Sequence, residues 1–78
     1  MALVTIRFWA AAARAVERDE EQFDAATVGE LRTALGARPA LQKIAVVASI
    51  LVDGQAVGEA TVLTPGAVVD VLPAYSAG

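Results

Sequence analysis

The sequence is 78 residues long, 56% hydrophobic and 19% charged, with nine acidic against six basic residues for a net charge of −3. That is room for one domain around one core, too apolar to stay disordered and without the clustered basic side chains that hold a phosphate backbone, so nucleic acid is not an expected partner. There are no cysteines and no histidines, which removes disulfides, thiolate-ligated metals, a thiol nucleophile and the commonest general base together. Any chemistry must then use the backbone, the carboxylates or a partner enzyme. The apolar run at the N-terminus is interrupted by Arg7 and has no basic region before it. It fits neither a signal peptide nor a membrane helix, and the expected location is cytoplasmic, with no membrane partner.

In chain order, residues 2–9 alternate Leu3, Thr5, Arg7 and Trp9 with Val4, Ile6 and Phe8 and are rich in β-branched and aromatic types, which predicts an opening strand. Phe8 and Trp9 are adjacent and must point to opposite faces, Phe8 inward with Val4 and Ile6, Trp9 partly exposed. Residues 10–16 hold five alanines with Arg14 and Val16, a composition that favours a short helix. Residues 20–24 could form a short second strand pairing with the first. The acidic side chains of Glu17, Asp19, Glu20, Glu21 and Asp24 read as solvated rather than as a metal site, because no histidine accompanies them and no glycine shapes a calcium loop.

Thr27 is placed as an N-cap with Glu30 three residues on, a capping box. Val28, Leu31, Ala34 and Leu35 follow at helical spacing, and Gly36 is expected to end this main helix in a left-handed conformation. Pro39 can open a further short helix with Leu41, Ile44 and Val47 or Ala48 on one side. Residues 50–52, Asp53-Gly54 and residues 55–57 form the strongest hairpin signal, a type I′ turn. Thr64-Pro65-Gly66 is a second turn, and residues 67–72 a buried strand, Val-rich except for Asp70. The scattered Arg7, Arg14 and Arg32 read as solvated surface. A sheet with one helix laid across it buries one apolar face of each.

Three stretches, RFWAAAAR at 7–14, TVGELRTAL at 27–35 and DVLPAYSAG at 70–78, resemble the small subunit of molybdopterin synthase, within the MoaD/ThiS group of ubiquitin-like sulfur carriers. In that family an opening strand runs into an aromatic residue and an Ala-Arg-rich helix. Its main helix begins near a Thr-Val pair, and its last strand leads to Pro-Pro-small-Gly-Gly. The resemblance spans the whole chain and implies an α+β fold of the ubiquitin-like β-grasp type, a mixed sheet of four to five strands with one main helix across it. It further implies a single domain over residues 1–78 with 73–78 as a flexible C-terminal tail.

The resemblance also implies a mechanism. Gly78 would carry the reactive carboxylate, adenylated by an ATP-dependent adenylyltransferase/sulfurtransferase and converted to a thiocarboxylate, which the large subunit of molybdopterin synthase uses to insert sulfur into a pterin precursor. This chain would bind no cofactor, with ATP used by the activating partner, and would serve as the sulfur-donating, non-catalytic subunit. Leu72, Pro73, Tyr75, Ser76 and Ala77 would contact the partner. Tyr75 could alternatively close the bottom of the core. A tail of Ser76, Ala77 and Gly78 is thin enough to thread a narrow channel and leaves the carboxylate unhindered. Two positions depart from the family pattern: Ala77 stands where the family has glycine, adding a Cβ that penalises positive φ by roughly 1 kcal/mol or more, and Ala74 stands where a second proline is common. Competing expectations are a carrier for thiamine or cysteine synthesis, and a β-grasp binding module with no covalent chemistry. The length and the RFWAAAAR opening favour the molybdopterin type.

Overall fold

In the computed structural model, which describes residues 1–73, the alternation of the opening segment becomes β1, Ala2–Phe8. Its Ala2, Val4, Ile6 and Phe8 side chains are buried, while Leu3 on the opposite face is half-exposed. The acidic segment is β2, Glu20–Ala25, antiparallel to β1 from Ala2 opposite Ala25 to Arg7 opposite Glu20. The last strand, β5 (Val68–Leu72), lies on the other side of β1 and parallel to it. Between them in sequence come β3 (Ser49–Val52), antiparallel to β5, and the two-residue β4 (Gln55–Ala56). The order across the sheet is β2-β1-β5-β3-β4. Because the two terminal strands are neighbours at the centre, β5 is hydrogen-bonded on both sides and its exit point is held by the most buried part of the fold.

The alanine-rich segment forms α1, Ala11–Val16, and its Ala12 is fully buried. The main helix, α2, spans Val28–Gly36. The Thr27 hydroxyl accepts from the Glu30 amide at 3.2 Å, and the Glu30 carboxylate reaches back to the Ala26 amide, one residue before the cap, also at 3.2 Å. Val28, Leu31 and Leu35 of α2 pack on Val4, Ile6, Phe8, Ile50, Val69 and Val71 in a single core.

The expected left-handed end at Gly36 does not occur. Gly36 is the last helical residue and the next, Ala37, stays right-handed at φ −76°, ψ −15°. The chain is turned instead at Arg38, which is extended at φ −81°, ψ 127°, as the ring of Pro39 requires of the residue before it. Pro39–Leu41 is then a 3₁₀ turn leading into α3, Gln42–Val47. The apolar stripe of this segment is completed by Ala48 and not by Val47, which is 58% exposed, because Ala48 has already swung to extended geometry and carries the chain under α2 into β3.

Arg32 is not solvated surface. From α2 it donates through Nη1 to the carbonyls of Ala45 and Ala48 at 2.8 and 2.7 Å, satisfying acceptors at the C-terminal end of α3, and through Nε and Nη2 to Glu59 at 2.9 and 3.0 Å. The Asp53-Gly54 turn has both residues at positive φ, 49° and 83°, as a type I′ hairpin demands. Val57 falls outside β4 and packs on the core. Among the described residues no helix is long and apolar enough to cross a membrane.

Candidate functional site at the end of the last strand

The sequence singles out residues 72–78. Of these the structure places Leu72 and Pro73, both half-buried, at the end of β5, with Leu72 opposite Ser49. Tyr75, Ser76, Ala77 and Gly78, together with the expected tail and its Ala74, lie outside the described residues.

What lies within them is the platform from which those residues leave. In β5 the side chains of Val69 and Val71 point into the core, which sends Asp70 to the opposite face of the sheet. There it should be wet, yet it is 6% exposed. The reason is its register: Asp70 lies beside Arg7 on the parallel strand β1, and Arg7 donates through Nε and Nη2 to its two oxygens at 2.7 and 3.2 Å. The indole N–H of Trp9 donates to the same carboxylate at 2.9 Å. The Arg7 guanidinium also lies 5.5 Å from the centroid of the Trp9 ring. The hydrogen bond from Arg7, assisted by that from Trp9 and by the guanidinium charge, holds the Asp70 carboxyl below the usual carboxylate range against the opposing effect of burial. The Trp9 amide donates to the carbonyl of Val71 at 3.2 Å. One side chain of β5 and one of its carbonyls are thus tied to β1 within the last few residues before Pro73.

Sequence reasoning did not find this cluster. The signal was present, as a lone carboxylate in a valine-rich strand and an arginine in the alternating strand β1, but their partnership depends on the β1–β5 register. A further carboxylate–arginine contact, Glu21 with Arg38, is likewise a long-range pairing; Arg38 draws Glu21 below its usual range through hydrogen bonding. Glu21 sits on the inner face of β2, where the acidic segment was expected to be solvated throughout.

Beside Trp9 the surface opens into a pocket of about 390 Å³ bounded by the end of β1, by Ala10 and Ala13, by Asp19 just before β2 and by Glu20 at its start. Trp9 is 45% exposed here, the partial exposure that alternation predicts. Ala10, which turns β1 into α1, has φ 50°, ψ −122°, a conformation that the Cβ of an L-residue opposes.

A five-stranded mixed sheet in the order 2-1-5-3-4, its terminal strands parallel at the centre and one main helix across it, defines the ubiquitin-like β-grasp class. The chain belongs to the ThiS family, whose sequence profile matches residues 6–78. No curated protein matches it. Among solved structures it is similar to the HVO 2177 protein of Haloferax volcanii (26% identity, TM-score 0.83, covering 99% of this chain and 87% of that one). It is also similar to a chain in the complex of subunits 1 and 2 of the molybdopterin-converting factor from Helicobacter pylori (23%, 0.75, 97% and 99%). A third similar structure is the small archaeal modifier protein 1 of Methanosarcina acetivorans (22%, 0.81, 100% and 98%). The fold is therefore that of the sulfur carriers and ubiquitin-like modifiers.

Proposed function

We propose that this protein is the sulfur-carrying small subunit of a molybdopterin synthase, with the carboxylate of Gly78 as the site of chemistry. The observation that carries the reading is the family match, which runs through Gly78, on a fold whose strand β5 is clamped at the centre of the sheet and delivers Leu72 and Pro73 to its end. The H. pylori structure, a complex of two converting-factor subunits, supports a large-subunit partner.

In this reading a Gly78 carboxylate oxygen attacks the α-phosphorus of ATP on the activating partner, and pyrophosphate leaves. Hydrosulfide-level sulfur then adds to the acyl carbon, the bond to AMP breaks, and a thiocarboxylate remains with release of one proton. The free energy comes from the nucleotide, so the carrier needs no base, metal or cofactor of its own. Docked on the large subunit, the thiocarboxylate gives its sulfur to the pterin precursor and water returns the terminus to a carboxylate. Leu72, Pro73, Tyr75, Ser76 and Ala77 serve as the stretch along which the partner grips.

A second reading is favoured by the likeness to a small archaeal modifier protein: the same adenylate could meet an amine instead of sulfide and form an amide bond with release of AMP. The experiment is AMP release from ATP by the organism's activating enzyme in the presence of this chain, with hydrosulfide or with a protein amine as the second substrate. Release that depends on Gly78 and on hydrosulfide supports the carrier, dependence on the amine supports the modifier, and no release with either leaves a binding module without covalent chemistry.

A further inference from the structure

We infer that the pocket beside Trp9 receives the cationic side chain of an arginine or lysine presented by the partner protein, and that this contact selects the partner; the inference rests on the carrier reading above. The pocket is open, about 390 Å³ in volume, and lies at the same end of the sheet as Leu72 and Pro73, since Phe8 is opposite Val71 across the β1–β5 pair. A partner that engages this end of the sheet meets the pocket and the Leu72-Pro73 exit together.

The lining fixes the chemistry of the occupant. Trp9 presents a half-exposed aromatic ring. The ring is held in place because its N–H is bound to Asp70, so little side-chain freedom is lost when it is covered. Asp19 and Glu20 are exposed at the rim and have no ion-pair partner among the described residues, whereas Glu21, Glu59 and Asp70 are each held by an arginine. Arg7 also borders the pocket, 5.5 Å from the centroid of the Trp9 ring and opposite Glu20 across the β1–β2 pair, but its single charge is matched by Asp70, which it binds through both Nε and Nη2, so that Asp19 and Glu20 leave the local charge negative. An aromatic face with two unpaired carboxylates beside it is complementary to a guanidinium or ammonium group, which gains both a cation–π contact and an ion pair as water leaves. An acidic or phosphorylated occupant would be repelled.

The test is the affinity of the full chain for the second subunit of the molybdopterin-converting factor from the same organism, measured by titration calorimetry at low and high salt. The proteins are wild type, the double variant D19N/E20Q, Trp9→Leu and, as a charge control at the other end of β2, Asp24→Asn. We expect D19N/E20Q to bind about tenfold more weakly at low salt, with the difference shrinking as salt is raised. Trp9→Leu should lose about tenfold at either salt, and Asp24→Asn should stay within about twofold of wild type. Because the side chains of Asp19 and Glu20 are exposed and make no hydrogen bond or ion pair among the described residues, while the Asp19 carbonyl that accepts from the Phe8 amide is untouched by the substitution, the double variant keeps its fold even if Trp9→Leu loosens the Asp70 cluster. Wild-type affinity in D19N/E20Q, or an equal loss in Asp24→Asn, overturns the inference while leaving the carrier reading intact. A wild-type chain that does not bind the second subunit at all overturns the partner reading and this inference with it.

Discussion

Ala10 offers a quantitative check on the corner that shapes the Trp9 pocket. At φ 50°, ψ −122° its Cβ crowds the adjoining peptide in a region natural to glycine, a strain of about 1–3 kcal/mol. Ala10→Gly removes that strain. It also gives the unfolded chain more freedom, which costs about 0.4–1 kcal/mol. Ala10 is exposed, so no core contact is lost, and its carbonyl still accepts from the Arg14 amide. The net expectation is a stabilisation of about 1 kcal/mol, or a rise in melting temperature of roughly 4–8 °C for a domain of this size. The assay is thermal and urea denaturation followed by circular dichroism, with Ala13→Gly inside α1 as the contrast. There the same chemical change should destabilise by about 1 kcal/mol, because ordinary helical geometry gains nothing from glycine. Opposite signs at two alanines three positions apart are the signature. An Ala10→Gly variant that melts at or below wild type refutes the claim that β1 turns into α1 under strain.

Three further outcomes follow from the packing and charge described. Leu31→Ala removes a fully buried side chain between α2 and the sheet and should cost about 2–5 kcal/mol, enough in so small a domain to bring the urea midpoint close to zero. Arg32→Met keeps the stem but abandons the carbonyls of Ala45 and Ala48, and should destabilise by about 2 kcal/mol, with α3 amides losing most hydrogen-exchange protection. Asp70 titrates lower in the folded chain than in the unfolded one, so its contribution to stability is complete above the unfolded value near pH 4 and is lost as pH falls toward the folded value. Asp70→Asn should therefore melt lower than wild type at pH 7 and show a shallower stability loss on acidification; parallel pH profiles for the two proteins contradict the assignment.

Local signals in this chain were readable and long-range pairings were not. The alternation of residues 2–9, the Thr27 cap and the Asp53-Gly54 turn each act within a few residues, and the structure forms all three, β1 stopping at Phe8, one residue short of the pattern. Gly36 differs from the pattern because a glycine after an apolar stripe ordinarily ends a helix in the left-handed region, whereas here Pro39 dictates the turn one residue before itself. Arg7 and Arg32 read as surface because nothing in their neighbourhood reveals partners that lie 63 and 13 to 27 positions away. The platform of the candidate site is thus a product of topology: only the parallel placement of β5 beside β1 brings Asp70, Arg7 and Trp9 together. The family's tail pattern, by contrast, is a matter of residue types alone and was legible at once, including the departure at Ala77. If that Cβ hinders passage through the partner, Ala77→Gly should raise the rate of activation by the adenylating enzyme, and an unchanged rate would mean that the partner accommodates it.

Whether the Gly78 carboxylate becomes a thiocarboxylate, as proposed, is decided by the intact mass of the purified full chain after incubation with the organism's activating enzyme, ATP and hydrosulfide. We expect a gain corresponding to exchange of one oxygen for one sulfur, absent when ATP is omitted and absent in a chain lacking Gly78 that retains the wild-type circular dichroism spectrum. An unchanged mass, with an enzyme shown to be active on another carrier, would contradict it.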